Sequence, residues 1–423
     1  GHVASYSAQN KTYQLIFFTI TKHKTMNKNI AIYTLTSELH DEKAVEAVTS
    51  EFLRSLNIDY ELKGSDYADY GTHPLSLIYV RTGGTEGIFM HLLPMLLAQS
   101  TRPFYLLTSG KSNSLAASME MLSFLRQQGH KGEIIHGNAD YIYRRIALLA
   151  KAAETRQTLS GCRLGIIGQP SDWLISSVYD KEHVKQKLGI ELTDIPMQEL
   201  LEAIAKATVP GASASVQAEA IEQALPGALQ IYHALKAIVT RHDLQGFTLR
   251  CFDLLTTVHN TGCLALAKLN SEGIVAGCEG DVPAMLTMKI AQAAVGLSGF
   301  QANPASIDPE TGQMLFAHCT IPFNMVERYE LDTHFEWGIG VGIRGYMPPG
   351  PVTIFKVSGD LSRHFIEEGE LLRCQAQPGL CRTQQVIRLS SPTLTSYFLT
   401  DPIGNHHIIL PGHHKALLEE IVA

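Results

Sequence analysis

Two short apolar runs in this chain end in side chains that can do chemistry. Residues 274–276 read as a buried strand that stops at Gly277 and delivers Cys278, Glu279, Gly280 and Asp281 to a turn before a helix over about 283–295. A second run, 314–317, delivers His318 and Cys319. Carboxylates and imidazoles transfer protons and ligate first-row divalent ions, manganese among them. In an open parallel sheet the carboxyl ends of strands face the ligand crevice, so Glu279 arrives where a working acid belongs. Asp281 stands where an acid caps the following helix, and its expected role is structural. Cys278 and Cys319 raise a zinc reading, but without a CxxC or HxxxH spacing they are read as packing cysteines.

These residues belong to GIVAGCEGDVPAMLTMKIA (273–291), FQANP (300–304) and MLFAHCTIP (314–322), and similar signals follow in LDTHFEWGIGVGIRG (331–345), PGPVTIFKVSGD (349–360) and GNHH (404–407). Together they resemble the L-fucose isomerase and L-arabinose isomerase family over the C-terminal two thirds of the chain. The resemblance implies interconversion of an aldose and a ketose through an enediol, on a monosaccharide, with a divalent metal, usually manganese. It places Glu279 at the family's catalytic and metal-ligating glutamate, and His318 at a histidine that contacts the metal or substrate oxygens. The family also brings a ligand from the GNHH region. Strand alternation sends only one of His406 and His407 into a site, and the alignment favours His407 as the ligand, leaving His406 to the substrate. His334 matches a family histidine with no assigned step. Arg344 is a candidate for sugar hydroxyls, with an exposed turn arginine as the plain alternative.

One position departs from the pattern. Where the family has a second carboxylate, this chain has Ala302 and Asn303. An asparagine offers a carbonyl oxygen to a metal but accepts no proton at neutral pH. Either Asp308 or Glu310 fills in, or the chemistry differs. Competing readings are a catalytically silent sugar-binding or regulatory protein with the isomerase fold, and a related epimerase or lyase.

The elements that position these residues alternate. NIAIYTL (29–35), SLIYVRT (76–82), FYLLTS (104–109) and GEIIHG (132–137) are strand-like and are separated by helical stretches such as 40–56. Strands at 162–168, 190–195, 247–253 and 273–278 repeat the grammar. After about residue 310, short β-rich segments with frequent Gly and Pro predict a small antiparallel barrel or sandwich. The expected organisation is an extension over 1–26, a first Rossmann-like α/β domain over 27–160, a second over 161–310 carrying Glu279, and an antiparallel β-barrel domain over 311–423. Two loops of the first domain end strands: RTGGTE, with Arg81 and Glu86 flanking paired glycines, and SGKSNS, which lacks phosphate-loop spacing. Both read more readily as ordinary capped turns than as ligand loops. The resemblance implies trimers or hexamers in which such loops close a neighbour's site. In QPSDWL (169–174), Trp173 is a candidate platform for sugar C–H surfaces, or a half-buried packing residue. TVPGASAS (208–215) reads as a Gly/Ser/Pro-rich joint.

Composition is that of an ordinary globular chain of 423 residues, 45% hydrophobic and 18% charged. A net charge of −7 with no basic cluster argues against a nucleic-acid partner. Seven scattered cysteines suit reduced thiols and a cytoplasmic address, and no apolar run reaches the ~20 residues that span a bilayer.

Overall fold

The computed structural model describes residues 28–209 and 219–423, which divide into two compact units, one up to Gln157 and one from Thr158 onward. The extension expected over 1–26 and most of the joint expected at 208–215 lie outside the described residues.

In the first unit, a five-stranded parallel sheet runs in the order Glu61–Gly64, Ile30–Leu35, Leu75–Val80, Phe104–Leu107, Gly132–Ile135. Helices cover both faces, and for that reason IAIYTL is buried throughout. Ala31, Tyr33 and Leu35 pack with Phe89, Leu93 and Met121 on one side. Ile30 and Ile32 pack with Leu53, Ile142 and Ile146 on the other. The helix Glu42–Ser55 starts at Asp41, whose carboxylate accepts from the Ala44 N–H at 2.8 Å. The edge strand Glu61–Gly64 is exposed at Glu61 and Leu62 and only partly buried at Lys63 and Gly64, so its sequence, ELKG, carries no apolar signal.

The second unit opens with a four-stranded parallel sheet in the order Glu191–Ile195, Arg163–Ile167, Gly246–Leu249, Val275–Cys278. Asp281 accepts from the Ala284 N–H at 2.8 Å and starts the helix Val282–Val295, which stops at Gly296 in the left-handed region. Every residue from Val282 to Ala291 is buried, because this helix packs on the sheet and against the barrel that follows.

That barrel is closed and antiparallel, with six strands in the order Phe300–Ile307, Gln313–His318, Thr383–Leu389, His364–Cys374, Gly350–Val357, His407–Pro411 and back to the first. Phe300, Ala302, Phe316, Ile354, Ile387 and Ile409 belong to its core. Truncating buried side chains of this kind costs about 2–5 kcal/mol each, so the barrel is a rigid frame for residues at its ends. A two-stranded ribbon, Arg328–Asp332 with Gly342–Tyr346, completes the β structure among the described residues. No helix of the described residues is long and apolar enough to cross a membrane.

Candidate functional site

Glu279 follows directly on the edge strand Val275–Cys278 and is only 8% exposed. Its φ of 64° and that of Gly280, 68°, turn the chain back on itself. A Cβ at Gly280 would stand 2.6 Å from the Gln169 carbonyl oxygen, so only glycine fits there. For Glu279 the left-handed backbone costs about 1–3 kcal/mol, and what it gains is the aim of its side chain. Oε2 accepts from the Trp173 indole N–H at 2.7 Å. Oε1 faces His318 Nε2 at 3.6 Å and His406 Nε2 at 3.5 Å.

Each imidazole reaches this point from the barrel. His318 ends the strand Gln313–His318, and His406 precedes the strand His407–Pro411. One ligand atom from each of Glu279, His318 and His406 lies within 4.8 Å of the other two, and all three residues are buried. Burial opposes charge on the Glu279 carboxyl, but the neighbouring His406 and His318 outweigh it and hold the group well below the usual carboxylate range. His406 Nδ1–H donates to Asp281 Oδ2 at 2.7 Å, which in the neutral imidazole leaves Nε2 with a free lone pair; burial opposes charge on the ring, but Glu279 and Asp281 raise its pKa above the usual value, so a proton competes with a cation for that atom. Among the described residues, that Nε2 is buried without a hydrogen-bond partner. A buried lone pair pointing at a carboxylate oxygen, beside a second imidazole, is the donor set a divalent cation takes, so these residues fit such an ion. Cys278, His318 and Cys319 form a second close group.

Asp281 is therefore more than a helix cap. One oxygen holds the helix N-terminus and the other orients His406. Burial pushes its carboxyl up, but Lys356 and His406 pull it down to about 2, so it stays ionised. Gln301, unremarked in the sequence, spans the free edge of the sheet: its side chain accepts from Cys278 N–H at 2.8 Å and donates to Cys278 C=O at 3.2 Å. It fixes the strand that carries Glu279 to the barrel that carries the histidines.

Of the adjacent pair, His406 faces Glu279 and His407 does not. His407 Nδ1–H donates to the Asn405 carbonyl at 3.0 Å, and Nε2 accepts from the Tyr397 hydroxyl at 2.9 Å. With both nitrogens committed, His407 has no lone pair for a metal. Burial, reinforced by Lys356, pushes its pKa from 6.5 down to about 3. An unfolded His407 takes up its proton near 6.5 and the folded one only near 3, so between these values the unfolded state binds more protons and stability falls as pH drops. About 2 kcal/mol of this loss should be present by pH 5. Urea midpoints at pH 7.5 and 5 should thus separate further in the native chain than in His407→Gln; equal separations would contradict the assignment.

The other candidate residues scatter. Trp173, Phe252 and His334 form a wall of edge-on contacts, with ring centroids 4.9 Å and 5.7 Å apart in turn. Trp173 remains 51% exposed, and His334 Nδ1 is buried with no partner among the described residues. Asn303 pairs in register with Ala317, next to His318, and its Oδ1 accepts from Asn405 Nδ2 at 3.1 Å. Asp308 and Glu310 lie in the exposed turn at the far end of the same hairpin, roughly 15 Å along the strand, where Asp308 accepts from the Glu310 and Thr311 N–H groups. They do not supply a second acid beside His318. Arg344 is committed to Asp332 at 3.2 Å and to the Arg382 carbonyl at 3.4 Å in the ribbon. Arg81 and Glu86 belong to the first unit, where Arg81 pairs with Glu46 at 3.2 Å and Glu42 at 3.3 Å.

No family model matches the chain. Among curated proteins it is similar to the sulfoquinovose isomerases of Priestia aryabhattai and Priestia megaterium, 23% identical over 264 residues, and to that of Alkalicoccus urumqiensis, 22% identical over 264 residues. The aligned stretch covers 58% of this chain and 59% of each of those relatives.

Proposed function

We propose that this chain is a metal-dependent sugar isomerase that interconverts an aldose and a ketose through an enediol. The observation that carries the reading is the convergence of Glu279 with His318 and His406, whose buried Nε2 has no other partner. The distant sugar isomerases point the same way. Glu279, His318 and His406 would hold the ion, manganese being one their donor types suit. When bound, it polarises the sugar carbonyl and offsets charge developing on the neighbouring oxygens.

The chain's own groups do the rest. Moving a hydrogen between C1 and C2 needs one base that reaches two adjacent carbons, and Glu279 is the only carboxylate in the three-residue cluster. The Trp173 N–H fixes Oε2 and with it the plane of the carboxylate. Trp173 and Phe252 offer the sugar's C–H surface an apolar wall. His334 Nδ1 can meet a hydroxyl. Asn303 can orient a hydroxyl but takes no proton.

The test is a screen of aldoses and ketoses, sulfoquinovose included, with the manganese-loaded full chain. Product formation that EDTA stops and manganese restores is the expected outcome. A metal-loaded protein inert to every aldose in the screen would sink the reading. The neutral Asn303 favours one second reading, a sugar-binding protein of this fold without turnover. Asn303→Asp bears on both: a second charge beside His318 should tighten manganese binding on the order of tenfold. Calorimetry measures it, and an unchanged affinity would place Asn303 outside the metal's surroundings.

A further inference from the structure

Lys356 occupies a position where the barrel calls for an apolar residue. The strand Gly350–Val357 sends Val352 and Ile354 into the core, and Lys356 follows at the same spacing. It is 1% exposed, and its Nζ has no hydrogen-bond partner among the described residues. Asp281 is its nearby countercharge, but both Asp281 oxygens are committed, one to Ala284 N–H and one to His406. Burial pulls the pKa of Lys356 below the usual lysine range although Asp281 opposes this, so an anionic partner from outside the chain, which would favour the ammonium, is the natural completion.

Lys356 lines a cleft of about 410 Å³ together with Ser176, Ser177, Arg363 and Gly404. A Cβ on Gly404 would come within 3.3 Å of Ser177 Oγ and 3.6 Å of Lys356 Nζ, so both polar atoms border the space that the glycine leaves. Two carboxylates also line it, and both are occupied. Asp180 accepts from His183 N–H at the start of the helix Lys181–Leu188. Asp360 accepts from the Ser358 and Ser362 hydroxyls and the Ser362 N–H. Arg363 also lines the cleft, its guanidinium paired with Asp401 at 2.8 Å.

We propose that this cleft binds a tetrahedral oxyanion, a sulfonate, sulfate or phosphate group, with Lys356 supplying the buried charge and Ser177 a hydroxyl donor beside it. Such a group brings several acceptor oxygens to one point, which suits an ammonium without a hydrogen-bond partner among the described residues and a hydroxyl near it. The group can arrive on a sugar or as a free ion, and nothing in this inference depends on the isomerase reading.

The experiment is calorimetric titration of the full chain with sodium sulfate, a C6-sulfonated hexose and the parent hexose, at constant ionic strength. Saturable binding of at least one anion is expected, weakened about tenfold or more in Lys356→Met. The unliganded variant should still melt cooperatively, because Asp281 keeps its bonds to Ala284 N–H and His406, and this separates lost binding from lost folding. Tighter binding of the sulfonated hexose than of sulfate or the parent hexose would identify a sugar-borne anion. Binding of sulfate alone would identify a free-ion site. No saturable binding of either anion, or binding unchanged in Lys356→Met, would overturn the proposal. Because binding is read without turnover, its failure and that of the isomerase reading are independent.

Discussion

Glu279→Gln should lower sugar interconversion by about 10²–10⁴-fold and remove most of the affinity for a divalent ion. Glutamine has nearly the same shape, and its carbonyl oxygen can still accept from the Trp173 N–H. The left-handed turn through Gly280 is untouched by the change, so the fold should survive. What disappears is the negative charge facing the Nε2 atoms of His318 and His406. Two neutral imidazoles then remain to hold a dication, and no group of the cluster accepts a proton from carbon. Parallel measurements of manganese affinity and initial rate check this. A variant that keeps native affinity would show that the ion, if bound, sits elsewhere.

Asp281→Asn should be the next most damaging change, although Asp281 is fully buried and touches no substrate. Asparagine caps a helix about as well as aspartate, so Oδ1 can continue to accept from Ala284 N–H. The atom facing His406 Nδ1 then becomes an amide N–H donor, which forces the imidazole proton onto Nε2. Nε2 is the atom that points at Glu279, and once protonated it has no lone pair for a metal. Loss of this supporting contact should cost about 10–100-fold in metal affinity. Asp281→Ala should show the same metal defect and lose about 0.5–2 kcal/mol of stability from the missing cap. An asparagine variant with lowered stability and unchanged metal binding would reduce Asp281 to a cap.

Glu279 and His318 were legible because each follows an apolar strand, and a polar residue at such a boundary stands out. Asp281 was legible as a cap because N-caps are set by local sequence. Its bond to His406, 125 positions away, is a product of packing. The choice between His406 and His407 was not legible for a related reason. Ile408, Ile409 and Leu410 are all buried, since the strand His407–Pro411 has the barrel core on one face and the helix Val282–Val295 against the other. No alternation of polarity marks which face is which. The register is set by the pairing of Phe300 with Ile409 and Ala302 with His407, residues a hundred positions apart. Nothing in the sequence marks Lys356 as buried, since a lysine in a strand faces solvent by default, and only the closed barrel puts it inside. The parallel sheets and the antiparallel barrel, by contrast, were evident from the change in element length and turn chemistry along the chain.

The most direct test of the metal centre is electron paramagnetic resonance of manganese titrated into the native chain, His406→Gln and His407→Gln. Free hexaaquo Mn²⁺ gives a sharp six-line signal that binding to protein suppresses. Expected is suppression to one equivalent in the native chain and in His407→Gln, and none at the same concentrations in His406→Gln. A native chain that leaves the signal undiminished, or a His406→Gln variant that suppresses it as the native chain does, would contradict a centre built from Glu279, His318 and His406.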